Sequence, residues 1–448
     1  MSELGDQSKY TQLFFGIFDR FFSSSLRKIA AVHFSWLLFE KIMRIFSGLL
    51  IGAYATRYLG PDNIGKLAYI ISITSIYQAL LPLGMDLIGV RLMSRKSSIS
   101  GRILGTLLTL RLLSGLVCFL SMLLTIYLFV GPDANMLELG ALASFGVLFQ
   151  FIDVIGFWFL ARHNSKSWAL SRSWALFLIG ALKLLGVVQQ YSLNYFAALL
   201  SIEVLISAIF LLSQFLSKSH SIKLQWNSFY AQLMLKEGFP VMCASIVTAL
   251  YLQSQRLILA KYSIPSELGI FSIASTLFDY LCIPSFLLCN TLFPILSKKR
   301  TDEAQDFIQV RAVLTIVVVS LFMVLAALIF GDFVIKILYG SAYKKSSEVL
   351  SILAVGIFFS SFGLLADFIC IGQNKSYLIF IRTFISLILS IALGVLIIPE
   401  YGSIGAAYIS VCLNIVVNFL FIPMLVPTLF GNLKSGLVLI YKVYLGRV

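Results

Sequence analysis

Ionisable side chains interrupt several long apolar runs of this sequence. Charged groups are costly at membrane depth and usually face a cavity or a partner of opposite charge. Arg44 and Arg256 lie deep in two such runs, and we expect them to meet across a cavity as a site for a negatively charged group. Arg44 follows Glu40 by one helical turn, so a structural ion pair is the alternative. Further candidates for contact with the bound group are Lys183, Arg111 and Gln150.

Several of these candidates have a second interpretation. Lys183 and Arg111 lie nearer the ends of their runs, where a long side chain can reach the headgroups instead. Gln150 shares a helical face with Asp153 and Phe157, a mixture typical of a wall that contacts sugar, although ordinary helix packing gives the same pattern. Acidic residues at membrane depth could carry a proton or a sodium ion, or neutralise the cations, and the sequence does not separate these roles. The acidic candidates are Glu40, Asp153, Glu203 and Asp279.

The sequence carries no recognised pattern for catalysis, metal binding or nucleotide hydrolysis. It has no Gly-x-x-x-x-Gly-Lys-Ser/Thr loop, its 3 histidines are isolated, and its 6 cysteines form no Cys-x-x-Cys pair. Metal sites and nucleophilic centres need such groups at defined spacings. We therefore expect no metal, no cofactor and no enzymatic activity.

The composition identifies lipid as the solvent of this chain. Hydrophobic residues make up 59% of the sequence, charged residues make up 12%, and the mean hydropathy is +0.95. A water-soluble globule needs more polar surface than this. The net charge of +14 lies in short clusters between apolar runs rather than on one polar face, so no nucleic-acid partner is expected. The apolar runs lack the two-residue alternation of barrel strands, which predicts an all-α integral membrane protein.

The apolar runs also predict the number and direction of the membrane spans. Twelve runs are long enough to cross the hydrocarbon, which takes about 20 helical residues. The loops on one side carry 23 Lys and Arg residues, among which we count Arg172 and Arg382, and those on the other side carry 6. This excess places both termini in the cytoplasm. The predicted spans 1 to 12 are residues 31–56, 65–90, 103–130, 136–161, 168–190, 194–217, 237–261, 268–296, 308–331, 348–371, 377–398 and 403–429.

The chain contains an internal repeat with an offset of 204 residues. Arg57, Tyr58, Pro61, Ile64 and Gly65 correspond to Lys261, Tyr262, Pro265, Leu268 and Gly269. An even number of spans separates the copies, so both halves enter the membrane in the same direction. We predict two parallel six-helix bundles around a central cavity. The predicted units are a leader with a helix in the headgroup layer (1–30), a first bundle (31–217), a cytoplasmic linker (218–236), a second bundle (237–430) and a cytoplasmic tail (431–448).

Several short motifs occur in the order and spacing of one transporter family. They are Tyr58-Leu59-Gly60-Pro61 with Gly65, Leu83-Gly84-Met85-Asp86, Phe239-Pro240, Tyr262 with Pro265, Gly269 and Ser272, and the stretch from Tyr401 to Ala407. Together they resemble the polysaccharide repeat-unit flippases of the O-antigen (Wzx) type, within the multidrug/oligosaccharidyl-lipid/polysaccharide exporter superfamily. The resemblance covers nearly the whole chain.

The resemblance implies a secondary transporter of the bacterial cytoplasmic (inner) membrane. Such a flippase moves an undecaprenyl-diphosphate-linked oligosaccharide from the cytoplasmic to the periplasmic leaflet by alternating access, for O-antigen and lipopolysaccharide biosynthesis. The implied partners are membrane lipid, a coupling proton or sodium ion, and other polysaccharide-assembly membrane proteins. A diphosphate headgroup needs cations and hydrogen-bonding groups in place of its water, which is the role we expect for Arg44 and Arg256.

Two other classes of protein stay open at this point. A cation-coupled multidrug antiporter would share the fold, but its cavity should be acidic. A membrane-embedded glycan polymerase or ligase would need a sizeable outside loop with acidic residues or arginines, and the outside loops of this sequence are short.

Overall fold

The computed structural model describes residues 35–420, apart from residues 37, 96–98, 132, 163, 219–222, 297–302 and 374. Every regular element in this part of the chain is helical, as the sequence predicts. The predicted leader helix within residues 1–30 and the tail 431–448 lie outside the described residues.

Most of the helices are long, and nine helices among the described residues are apolar enough to cross a membrane. A helical stretch over residues 38–46 leads into π-helix Ser47–Gly52, and a second π-helical segment is Asn414–Leu420. Two short 3-10 segments are Phe145–Ile152 and Ser341–Tyr343. The α-helices are Ala53–Leu80, Asp86–Arg95, Ser100–Val130, Ala134–Ser144, Asp153–Ala161, Ser165–Val188, Leu193–Lys218, Ser228–Tyr262, Pro265–Leu296, Glu303–Leu338, Lys344–Gly372 and Ser376–Leu413.

Two glycines divide continuous helices into separate membrane passes. Gly60 has φ 76° inside Ala53–Leu80, and Gly402 has φ 56° inside Ser376–Leu413. A right-handed helix cannot continue through this left-handed region, which glycine enters at little cost. The chain therefore turns between spans 1 and 2 and between spans 11 and 12. Helical segments occur at all 12 predicted span positions, although the predicted spans 1 and 12 extend beyond the described residues.

The corners of the two halves pack against each other through a pair of reciprocal contacts. A Cβ atom added to Gly65 would lie 1.8 Å from the carbonyl oxygen of Pro265, and one added to Gly269 would lie 2.1 Å from that of Pro61. The offset of 204 residues converts Pro61 into Pro265 and Gly65 into Gly269, so each contact is the image of the other. Reciprocal contacts of this kind indicate a two-fold axis. The structure thus supports the internal repeat found in the sequence.

The two halves also contact each other farther from these corners, on both sides of the molecule. On the predicted outer side, the buried hydroxyl of Tyr343 donates a hydrogen bond to the carbonyl oxygen of Thr56 at 3.1 Å. On the predicted cytoplasmic side, Arg91 forms an ion pair with Glu237. Any movement that opens one side must break its contacts while the other set holds the halves together.

The inner end of span 2 differs from the predicted boundary. The predicted span 65–90 ends at Leu80, and a separate short helix, Asp86–Arg95, follows a turn. Gly84 in this turn has φ 69°, and an added Cβ atom would lie 2.2 Å from the carbonyl oxygen of Gly238. The turn therefore lets the backbone of the first half approach the start of span 7 directly.

The linker between the halves is shorter than the predicted 218–236. Span 7 begins at Ser228, because the side-chain oxygen of Asn227 accepts a hydrogen bond from the Tyr230 N–H at 3.2 Å and caps the helix. The helix Ser228–Tyr262 has 35 residues, and at 1.5 Å per residue it is about 52 Å long. It is longer than the hydrocarbon core, so its inner end occupies residues 228–236 of the predicted linker.

The reciprocal corner contact can be tested with one methyl group. We expect Gly65→Ala to destabilise the protein by about 1–3 kcal/mol, because the added Cβ atom collides with backbone of the other half. Gly52→Ala is the matched control: its added Cβ atom meets nothing nearer than 3.7 Å, and alanine favours a helix by about 1 kcal/mol over glycine. Thermal unfolding of the purified proteins in detergent measures both effects. Equal melting temperatures for the two variants would contradict the contact.

Candidate functional site

A polar cavity of about 360 Å³ lies within the first half of the chain. Spans 1, 2, 4, 5 and 6 supply its walls, and every residue that lines it belongs to this half. Its charged or polar lining residues are Arg44, Thr74, Ser75, Gln78, Gln150, Asp153, Arg172, Glu203 and Ser207.

A change of helix type in span 4 aligns one wall of this cavity. The 3-10 segment Phe145–Ile152 has about three residues per turn, so residues three apart point the same way. Val147, Gln150 and Asp153 follow this spacing, and all three line the cavity. The segment is held against span 6, where the hydroxyl of Ser201 accepts a hydrogen bond from the Gly146 N–H at 2.7 Å.

Arg44 lies in the cavity wall between two carboxylates. Its Nε and Nη2 atoms donate to the same oxygen of Glu40, at 3.0 and 2.9 Å. Its Nη1 atom lies 3.6 Å from Glu203 of span 6. The side chain of Arg44 is 40% exposed, whereas that of Glu40 is 5% exposed. Arg44 is therefore both a cavity cation and a member of an ion pair, the two alternatives that the sequence left open.

A second ion pair crosses the same cavity and was missed in the sequence. Arg172 lies 3.4 Å from Asp153, and its guanidinium group lies 4.6 Å from the ring centre of Trp168. The count of Lys and Arg residues treats Arg172 as a cation of the cytoplasmic side, although it lies four residues inside the predicted span 168–190. The helix begins at Ser165 instead, which places Arg172 two turns inside it. Trp168 and Arg172 lie one helical turn apart, and this spacing could have indicated that both residues belong to the helix.

The second half repeats this arrangement. Arg382 of span 11 pairs with Asp367 of span 10 at 2.7 Å, as Arg172 of span 5 pairs with Asp153 of span 4. The count of Lys and Arg residues also treats Arg382 as a cation of the cytoplasmic side. An ion pair between the corresponding two spans thus occurs in both halves, although its residues are not 204 positions apart.

Arg111 lies behind the cavity wall. It is 3% exposed, its Nη2 atom donates to Asp86, and its Nη1 atom donates to the backbone oxygen of Gln150 at 3.4 Å. It therefore supports the wall that carries Gln150 and does not itself line the cavity.

Arg256 lies in the second half and does not line this cavity. Its Nη1 atom donates to Gln253 at 3.1 Å and its Nη2 atom to Ser275 at 2.7 Å. Asp279 is close enough for its charge to act on Arg256. Lys183 is half-buried and forms no hydrogen bond or ion pair with the described residues.

The structure thus brings together part of the predicted site. Arg44, Gln150, Asp153 and Glu203 meet in one cavity, with Glu40 directly beneath Arg44. The sequence did not identify the polar residues of span 2 in the same wall, which are Thr74, Ser75 and Gln78. No group of three or more His, Cys, Asp or Glu residues that could hold a metal ion occurs in the described part of the chain.

Residues 30–300 match the family described as "Polysaccharide biosynthesis protein", which is more than half of the chain. The chain belongs to this family. The capsular polysaccharide biosynthesis protein CapF of Staphylococcus aureus is a relative with 25% identity over 228 residues. The match covers 48% of this chain and 56% of CapF, so the chain spans about half the length of this curated relative.

Solved structures identify the fold. The lipid II flippase MurJ in an inward closed conformation matches with a TM-score of 0.69 and 15% identity, over 92% of this chain and 93% of MurJ. An inward-facing MATE multidrug resistance transporter of the MOP superfamily matches with a TM-score of 0.66 and 13% identity, over 87% and 96%. A MOP superfamily transporter from Pyrococcus furiosus matches with a TM-score of 0.61 and 15% identity, over 90% and 96%.

These matches confirm the predicted fold class, an all-helical membrane protein of two bundles. All three of these solved proteins are described as transporters or flippases. The family match confirms the polysaccharide part of the resemblance, and the solved structures share the predicted fold.

The ion pair behind the wall gives a stability prediction. Arg111→Met should destabilise the protein by about 3 kcal/mol, at the lower end for a broken buried pair because Asp86 is partly exposed. Adding Asp86→Asn should recover most of this loss, since no uncompensated charge then remains. The matched control is Arg91→Met, whose exposed pair with Glu237 should contribute less than about 1 kcal/mol. Thermal unfolding in detergent compares them; an Arg111→Met variant as stable as Arg91→Met would show that the buried pair is unimportant.

Proposed function

We propose that this protein is a flippase for a lipid-linked oligosaccharide. In this proposal it moves an undecaprenyl-diphosphate-linked repeat unit from the cytoplasmic to the outer leaflet of the bacterial cytoplasmic membrane. The observation that carries the proposal is the position of Arg44: a partly exposed guanidinium group in a polar cavity at membrane depth, in a chain of the polysaccharide biosynthesis family. Guanidinium groups bind phosphate oxygens through paired hydrogen bonds.

The composition of the cavity suits a phosphorylated sugar better than an apolar drug. Gln78, Gln150, Thr74 and Ser75 offer donors and acceptors beside the guanidinium groups of Arg44 and Arg172. A volume of about 360 Å³ is at the small end for a ligand site. It suits the diphosphate with the first sugar, while the remaining sugars extend out of the cavity and the prenyl tail stays in lipid.

Arg256, Lys183 and Arg111 have different roles in this proposal. Arg256 is a candidate to receive the headgroup once the halves have moved, because it lies on span 7, the counterpart of span 1 that carries Arg44. Lys183 is a candidate contact for a later part of the glycan. Arg111 positions Gln150 rather than touching the substrate.

The coupling ion and the surface polymer are part of the proposal. Proton or sodium coupling would use the acidic residues at membrane depth, which are Glu40, Asp153, Glu203 and Asp279. The polymer is a surface polysaccharide such as an O-antigen, and other polysaccharide-assembly membrane proteins are the proposed partners. The CapF relative is named for capsular polysaccharide, which favours the wider class over lipopolysaccharide alone.

A cation-coupled multidrug antiporter is the second candidate. The observation that favours it is the acidity of the same cavity, since Asp153 and Glu203 line it and Glu40 lies beneath Arg44. An antiporter that binds cationic drugs would use these carboxylates and would not need Arg44. Substitution of Arg44 therefore separates the two candidates.

The flippase proposal predicts a specific loss. Cells without the protein should accumulate lipid-linked repeat units on the cytoplasmic leaflet, and Arg44→Ala should lower the flipping rate by about tenfold to a hundredfold. This magnitude follows from a charged hydrogen bond of about 1.5–3 kcal/mol. A leaflet-accessibility assay on spheroplasts measures the exposed fraction. Lys66→Ala, which removes an exposed cation on the predicted outer side, should be unaffected. Normal outward exposure with Arg44→Ala would favour the antiporter.

The proposed orientation can be tested independently of the substrate. In a variant without the 6 native cysteines, a membrane-impermeant maleimide should label Lys66→Cys in intact cells. Arg95→Cys should react only after the cells are broken, because the excess of Lys and Arg marks its side as cytoplasmic. Both sites are exposed in the structure. Labelling of Arg95→Cys in intact cells would reverse the proposed orientation.

A further inference from the structure

The guanidinium group of Arg44 has two edges, and the structure gives each edge a different carboxylate. The Nε and Nη2 atoms donate to Glu40, one turn away on the same helix, at 3.0 and 2.9 Å. The Nη1 atom faces Glu203 on span 6 at 3.6 Å, a separation of charges without a hydrogen bond. The contact with Glu40 is therefore the tighter of the two.

Glu40, which makes the tighter contact, is also the more deeply buried of the two carboxylates. The side chain of Glu40 is 5% exposed and that of Glu203 is 24% exposed. Glu40 is enclosed behind Arg44, whereas Glu203 lines the cavity itself. A ligand that enters the cavity meets Glu203 and the Nη1 edge together, but it cannot reach the edge that Glu40 holds.

No lining cation is unpaired in the described part of the cavity. Arg44 faces Glu203, and Arg172, the other lining cation, faces Asp153 at 3.4 Å. An anion that binds to either guanidinium group must first displace a carboxylate of the protein. When part of a protein occupies its own ligand site, only the molecules in which that site is free can bind the ligand. The apparent affinity for the ligand is then the intrinsic affinity multiplied by the fraction of such molecules.

We propose that Glu203 is a displaceable occupant of the anion site on Arg44, while Glu40 fixes the orientation of the guanidinium group. This inference rests on the proposed function, in which the entering anion is the diphosphate of the lipid-linked glycan. Glu203 then sets an affinity threshold: anions that bind Arg44 no better than a tethered carboxylate are kept out, and a diphosphate displaces Glu203. Until an anion enters, Glu203 also helps to neutralise Arg44 at membrane depth.

The test compares two carboxylates on one arginine. Farnesyl diphosphate is the soluble probe, and its binding to the full-length protein in nanodiscs is measured by calorimetry. Glu203→Gln should bind the probe roughly two- to fivefold more tightly than the unmodified protein, which corresponds to the loss of one partly exposed ion pair. Glu203→Asp should also gain affinity, because the shorter side chain does not reach Nη1, and it keeps the charge.

Two controls separate occupancy from a general effect of charge. Glu40→Gln removes the same charge from the same guanidinium group but leaves Glu203 in place, so it should bind no more tightly than the unmodified protein. Glu138→Gln removes an exposed carboxylate that does not line the cavity and should have no effect. Equal gains for Glu40→Gln and Glu203→Gln would overturn the proposal, because removal of negative charge alone would then explain both.

The double variant keeps this inference distinct from the proposed function. Arg44→Gln should bind the diphosphate at least about tenfold more weakly, and Glu203→Gln should give no further gain in that background. If Arg44→Gln loses the probe but Glu203→Gln and Glu203→Asp bind no more tightly than the unmodified protein, the inference fails and the flippase proposal stands. If Arg44→Gln binds the probe normally, the proposed anion site itself is wrong.

Discussion

The cost of an ionised group away from water governs this structure. A charge at membrane depth needs either a partner or a polar cavity, and the two lining guanidinium groups of the cavity have both. The same constraint explains why Arg111 is buried against Asp86 and why Arg382 pairs with Asp367. Pairing lets the protein hold these cations inside the membrane without an uncompensated charge in a medium of low dielectric constant.

In the proposed flippase, the two-fold relation between the halves would let the site open to each side in turn. The two-fold axis converts the contact between Gly65 and Pro265 into the contact between Gly269 and Pro61. Both halves therefore contribute equally to the interface at the corners. Contacts between the halves lie near both ends of the spans. Rocking about the packed corners would separate the inner contacts first, and the mouth of the cavity would then change while its charged walls stayed within one half.

The fold could be predicted from the sequence because it depends on patterns that are visible within short stretches of the chain. Apolar runs of spanning length, the Gly60-Pro61 corner and the offset of 204 residues can all be read locally, and they specify the passes and the repeat. The Lys and Arg distribution was less reliable as a guide to single residues. An arginine near the end of an apolar run has the same sequence context whether it faces the headgroups or turns inward, so the sequence does not distinguish Arg172 and Arg382 from loop cations.

The candidate site was only partly predictable, because its shape depends on contacts between distant segments. The 3-10 segment of span 4 aligns Gln150 with Asp153, but its position against span 6 depends on the hydrogen bond from Gly146 to Ser201, 55 residues away. The expected meeting of Arg44 with Arg256 assumed one cavity on the axis, whereas the described cavity lies within the first half. The sequence indicates how deep each charged residue lies in the membrane, but it does not show whether its side chain points into the cavity.

The most direct test of the account is a structure of the protein with a prenyl-diphosphate-linked saccharide bound. The account predicts diphosphate oxygens within hydrogen-bonding distance of Nη1 of Arg44, with Glu40 still bound to the other edge and Glu203 moved away. A headgroup bound elsewhere, with the pair of Arg44 and Glu203 intact, would contradict it.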